Sequence, residues 1–158
     1  MFEIKSYVVY KKEVCLIEDI IVNDKNKQKY YLLNPIDDNS LKIRIPVDNG
    51  PNLLRNLISK EQIDSLIKDI KNIEPLDINQ KNIENQYKEL LATESHHNLV
   101  KIIKTTHLRN ENRIHNHKKI GDKDRAYFEK AEKYLYNEIA CVLNLNYEEA
   151  KAYVMNNV

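Results

Sequence analysis

Apolar residues follow two rhythms along this chain, and the change falls near Pro51. Before it they come in short β-branched and aromatic runs. Phe2-Glu3-Ile4 alternates, Tyr7-Val8-Val9-Tyr10 and Val14-Cys15-Leu16-Ile17 are compact runs, and Glu18 to Val22 extends the second. Lys29 to Leu33 forms another run, and Leu41-Lys42-Ile43-Arg44-Ile45-Pro46 alternates with period two. Successive side chains of a strand point to opposite faces, so these patterns predict strands. The polar stretches Asn23 to Lys27 and Asp37 to Ser40 predict the turns between them. Four or five short strands joined by short turns predict a small antiparallel β-barrel.

After Asn49-Gly50-Pro51 the spacing becomes helical. Ser59 followed by Gln62 has the spacing of a capping box, ahead of Ile63, Leu66, Ile67 and Ile70. Glu74-Pro75-Leu76-Asp77 breaks that helix. The next runs from about Asn79 to Thr93, with Ile83, Tyr87, Leu90 and Leu91 on one face. Ser95 caps a further helix carrying Leu99, Ile102, Ile103 and Thr106, whose polar far end, Leu108 to Asn116, is expected to loop out. The longest helix spans 122–143, with Phe128, Ala131, Leu135, Ile139 and Val142 along one face and Asp122 or Asp124 as its cap. Asn144-Leu145-Asn146 is a turn, and a last helix starts at Tyr147. The expected fold is α+β, a small antiparallel barrel over residues 1–52 joined to a helical bundle over 53–158.

Composition agrees with that division. Hydrophobic residues make up 42% of the 158 and charged ones 31%, enough apolar material for a core and too much for a disordered chain. No apolar run approaches the roughly 20 residues of a membrane span, and no signal peptide is evident, so a soluble, intracellular protein is expected. Cys15 and Cys141 lack metal-type spacing and are expected to be reduced thiols.

The net charge of +1 says little, but its distribution is uneven. Residues 1–52 carry eight Lys/Arg and eight Asp/Glu. Between Lys101 and Arg125 there are eight Lys/Arg against three acids, and residues 126–158 reverse the sign with three lysines against five glutamates. At the centre lies Lys118-Lys119-Ile120-Gly121-Asp122-Lys123-Asp124-Arg125, running into the longest helix. A local basic patch on a nearly neutral protein suits an anionic partner met on one face, and equally suits a solvated loop.

Enzyme chemistry finds little support. There is no glycine-rich phosphate loop, with two glycines in the whole chain, and no Ser or Cys in a nucleophile-type motif. His96-His97 point to different faces of a helix, and His115 and His117 could meet one metal but find no third ligand at useful spacing. No enzyme activity, metal or cofactor is expected. The ten tyrosines read mainly as core or core-edge residues. Lys42 and Arg44 stand side by side on one strand face if Leu41, Ile43 and Ile45 point inward, where they either discourage edge pairing or dock an acidic protein surface.

The residues also carry a family likeness. Phe2-Glu3-Ile4, Tyr7 to Tyr10 and Val14 to Ile20 resemble the opening of the CarD/CdnL family of bacterial transcription regulators. So do Lys29 to Leu33, Ile43 to Asn49, Leu91-Ala92-Thr93 leading into Val100 to Ile103, and Lys118 to Asp124 followed by Lys130 to Ala140. The resemblance covers nearly the whole chain in order. It implies a Tudor-like N-terminal domain that binds the RNA polymerase β subunit, and a helical C-terminal domain that touches promoter DNA without sequence specificity and stabilises the open promoter complex. It implies a bacterial cytoplasmic protein; separately, a monomer is expected, and an exposed strand edge leaves a strand-paired or domain-swapped dimer open. In the family a strand arginine contacts the polymerase, which Arg44 matches, with Lys42, Asn23 and Ile43 as neighbours. A basic residue at the start of the long helix contacts DNA, matched by Arg125 with Lys123, and Lys118, Lys119, Lys81 and Lys88 join the DNA-facing set.

Three departures stand out. The family's usual Gly-Asp before the first strand is Lys5-Ser6 here, and the hairpin after Tyr10 reads Lys11-Lys12-Glu13, without its glycine. The family inserts a tryptophan into the minor groove, and this chain has none. Leu76 or Ile78 could act as an aliphatic wedge in its place, or be ordinary core residues. The alternative function is a protein-binding adaptor of RNA polymerase without significant DNA contact.

Overall fold

Strands and helices segregate along the chain, as its two rhythms require. The computed structural model describes residues 1–119 and 121–158, so Ile120 of the basic loop lies outside it. Two units divide the chain, Met1–Leu57 and Ile58–Val158.

The first unit contains β1 (Tyr7–Tyr10), β2 (Glu13–Val22), β3 (Lys29–Pro35), β4 (Ile43–Pro46), the short helix α1 (Gly50–Leu53) and β5 (Leu54–Arg55). All pairings are antiparallel, in the order β4-β3-β2-β1-β5. The sheet curls into a half-barrel whose edge strands, β4 and β5, do not pair with each other. Its core is Val8, Cys15, Ile17, Tyr31, Leu33, Ile45 and Leu54. Gly50 lies against that core, where a Cβ would stand 2.9 Å from the Tyr31 ring. A register shift between Ile17 and Asp19 marks a bulge in β2, which re-aims the side chains beyond it.

Three expectations need correcting here. Phe2-Glu3-Ile4 forms no strand; Phe2 packs against the core, and its N–H donates to the Tyr31 hydroxyl at 3.0 Å. Leu41 does not point inward but is exposed, because β4 begins only at Ile43. The boundary falls after Leu57 rather than at 52, since Leu54 and Arg55 pair with Tyr10 and Val9 of β1. A two-residue strand is too short to leave a period in the sequence.

The β1–β2 turn has only Lys11 and Lys12 between the paired Tyr10 and Glu13. Their φ values are 47° and 69°. Two left-handed residues in a two-residue loop are the signature of a type I′ turn, whose twist matches the flanking strands and which favours Asn and Gly. The hairpin therefore makes this turn with two lysines and no glycine.

The second unit contains α2 (Lys60–Asp69), α3 (Ile83–Leu91), α4 (His96–His115), α5 (Asp122–Leu143) and α6 (Tyr147–Met155). The Ser59–Gln62 capping box is present in both directions, and Ser95 accepts from the Asn98 amide. Ile63, Leu66, Ile70, Tyr87, Val100, Ile102, Ile103, Leu135, Tyr136 and Ile139 form the centre of the core. Asn144 closes α5 in the left-handed conformation, and α6 starts with an Asn146–Glu149 capping box. His96 reaches the buried Glu138 at 2.9 Å, whose other oxygen accepts from the Ile58 amide, while His97 faces Asp69 at the surface.

Here α3 starts four residues later than expected, at Ile83. The stretch from Leu108 to Asn116 does not loop out, because α4 continues to His115. Neither Asp122 nor Asp124 caps α5: the N-cap is Gly121, with no side-chain bond. No helix among the described residues is long and apolar enough to cross a membrane.

Candidate functional site

Two sets of cations were legible in the sequence, and the structure treats them differently. In the first unit, Arg44 lies on the edge strand β4 between the inward Ile43 and Ile45. It is exposed and has no ion pair among the described residues. Its cross-strand neighbour is Leu32, followed across the sheet by Asp19. Lys42 beside it is engaged, with Nζ 2.6 Å from Glu18 Oε1. Ile43 is half-buried in the core, and Asn23 sits in the β2–β3 turn, where its side chain accepts from the Lys25 amide. Of the four residues grouped for protein docking, Arg44 alone presents an unpaired charge.

In the second unit the centre is Asp124, at the third position of α5 and 3% exposed. A carboxylate this deep needs compensation. Arg109 Nε donates to both of its oxygens, at 3.2 and 3.1 Å, and the Tyr87 hydroxyl donates to Oδ1 at 2.9 Å. Arg113 Nη1 lies 3.1 Å from Oδ2, off the geometry of a hydrogen bond. Arg109 also donates to the Ile78 carbonyl. Burial, then the hydrogen bond to Asp124, pushes the Tyr87 phenol well above its ordinary value, so it stays a donor. Residues from α3, α4 and α5 thus share one polar knot. Gly121 belongs to it by its size, since a Cβ there would collide with the Arg113 guanidinium at 1.8 Å.

This knot explains the helical far end of α4. Arg109 and Arg113 are one turn apart, so both reach the same carboxylate across the helix interface. Polar residues that look like a loop are held in helix by a buried partner.

The basic stretch is correspondingly smaller than its count. Of the eight Lys/Arg between 101 and 125, Arg109 and Arg113 serve Asp124, and Lys104 donates to the carbonyls of Ile70 and Ile73. Lys123 is paired with Glu84, Nζ to Oε2 at 2.9 Å. Lys118, Lys119 and Arg125 are exposed, with no ion pair among the described residues. Lys123 and Arg125 do not act on one face, because residues two apart on a helix point roughly 200° from each other. The buried Asp124 lies between them.

What the structure does bring together is Lys81, Lys88 and Lys123. Lys81 and Lys123 line an open cleft of about 440 Å³, with Glu84, Asn85, Arg109 and Arg113 in its walls. Lys88 stands one turn along α3 from Glu84, 4.0 Å from its carboxylate. A smaller cleft of about 160 Å³ is lined by Ile78, Asn112, Asn116 and Lys118 together with the two arginines. Leu76 packs against the helical core and its amide donates to Thr105 Oγ1, which leaves it little freedom to intercalate. Ile78 is half-buried at the cleft wall.

Sequence reasoning missed the roles of Asp124, Tyr87 and Glu84. The one signal for the first was the pair of arginines at helical spacing, Arg109 and Arg113, within a stretch read as solvated. No group of three or more His, Cys, Asp or Glu among the described residues could hold a metal ion; His115 ends α4, and His117 follows in the left-handed conformation. Neither a protein-family model nor a curated protein matches the chain.

Proposed function

We propose that this chain is a CarD-type transcription regulator. Its Tudor-like half-barrel docks on the RNA polymerase β subunit through Arg44, and its helical unit meets the promoter DNA backbone through lysines on and just before α3 and at the start of α5. The family likeness, spread in order over most of the sequence, supplies the partners. The observation that carries the reading is Arg44, a guanidinium unpaired among the described residues and displayed on the edge strand. A rigid fork of donors in that setting is a natural anchor for an acidic protein surface. The approach of Lys123 on α5 to the segment that carries Lys81 and Lys88 supports the DNA contact. Backbone contacts of this kind position a protein without reading sequence, so promoter choice belongs to the polymerase.

The internal engagement of half of the basic stretch favours a second reading, a polymerase adaptor without significant DNA contact. Affinity of the full-length chain for the purified β subunit tests what both readings share. The wild type is expected to bind saturably and Arg44→Glu to lose binding while melting normally. Equal binding by both would remove the basis of the proposal.

A further inference from the structure

Glu84 occupies an unusual place for an acid at a proposed DNA-facing surface. It sits at the second position of α3, where Asn82 makes no side-chain cap and a carboxylate suits the positive end of the helix. That accounts for a negative charge here, but not for its other contacts. The carboxylate reaches across to α5, where Lys123 Nζ lies 2.9 Å from Oε2, and Lys88 Nζ lies 4.0 Å from Oε1. The hydrogen bond from Lys123 draws the Glu84 carboxyl below its ordinary value, and the same bond raises the Lys123 ammonium above its own. Lys81 opens into the same cleft. One carboxylate thus stands among three of the lysines grouped for DNA.

Resting on the DNA-contacting reading above, we propose that Glu84 is a built-in competitor for phosphate. It occupies Lys123 and Lys88 in the free protein and sets the affinity of this face for duplex DNA. A carboxylate and a phosphate offer lysine the same thing, anionic oxygen acceptors. The lysine side chains are more than half exposed, so the pairs are weak and exchangeable rather than structural. A DNA phosphate must displace Glu84 or share its lysines, and the net positive charge of the face is one unit lower than its lysines suggest. The consequence is weak binding to free DNA, with useful engagement only where the polymerase raises the local DNA concentration.

The test uses the full-length chain and a fluorescein-labelled, mixed-sequence duplex, read by anisotropy over a range of salt concentrations. Glu84→Gln keeps the shape and an acceptor but removes the charge. It is expected to tighten binding roughly three- to fivefold, the scale of an exposed ion pair, and to steepen the salt dependence by about one unit. Glu89→Gln, an exposed acid on the same helix, makes the same change in net charge away from these pairs and is expected to give a smaller gain. The Glu84→Gln gain must vanish in a Lys88→Gln/Lys123→Gln background, which a merely structural role would not require. Equal gains from Glu84→Gln and Glu89→Gln overturn the proposal. So does an unchanged Glu84→Gln beside a weakened Lys88→Gln/Lys123→Gln, which leaves the DNA reading standing. If Lys88→Gln/Lys123→Gln binds as wild type, the DNA reading falls and this inference with it.

Discussion

Arg44 in the β unit and the arginine pair of the helical unit are chemically identical and are held in opposite ways. Arg109 and Arg113 converge on one buried aspartate. Arg44 projects from an edge strand with no ion pair among the described residues. Burial of the partner makes the difference. A carboxylate nearly removed from water demands cations, and the arginines that supply them become part of the fold. An exposed arginine opposite Leu32 is under no such demand and remains available to another molecule. A count of charges therefore measures the material for an interface, and the contacts decide how much of it is on offer.

The largest expected effect breaks the engaged side of this comparison. Asp124→Ala leaves two guanidinium groups without their shared counter-charge and Arg109 and the Tyr87 hydroxyl without their acceptor, and is expected to cost about 3 kcal/mol or more, read by denaturant unfolding of the full chain. An Asp124→Ala chain as stable as wild type would mean that Arg109 and Arg113 are held by something other than this carboxylate.

A smaller effect of opposite sign is expected in the β unit. Lys11 and Lys12 both adopt positive φ in a turn that favours glycine. Lys12→Gly is expected to stabilise the half-barrel by about 1 kcal/mol, because a Cβ is penalised in the left-handed region. A destabilised Lys12→Gly would show that the lysine contributes more through its side chain than its backbone loses. Smallest of all, Arg44→Ala is expected to change stability by less than about 0.5 kcal/mol in the same assay, as for a surface residue without structural partners.

The contrast also marks what the sequence could say. Local signals were readable wherever they are self-contained. Ser59 and Gln62 bond to each other, the 122–143 helix has its own apolar stripe, and Ile43-Arg44-Ile45 alternates as a strand on a core must. The readings that failed depend on partners distant in sequence. Leu54–Arg55 is a strand only because β1 is there to pair with it, and the polar end of α4 is helical because Asp124 waits on α5. Asp124 itself looked like a cap, since an acid at a helix start has that local explanation, and only the packing of α3 and α4 shows it facing inward. The reach of Glu84 to Lys123 crosses almost 40 positions and leaves no local trace.

The most direct measurement takes folding stability and affinity for the RNA polymerase β subunit on the same preparations of wild type, Arg44→Ala and Arg109→Ala. The account predicts that Arg44→Ala melts with wild type and loses about tenfold or more in affinity, as an interface anchor should. It predicts that Arg109→Ala melts earlier, while its folded fraction binds as wild type does. An Arg44→Ala chain that binds as tightly as wild type, or an Arg109→Ala chain that loses affinity without losing stability, would contradict it.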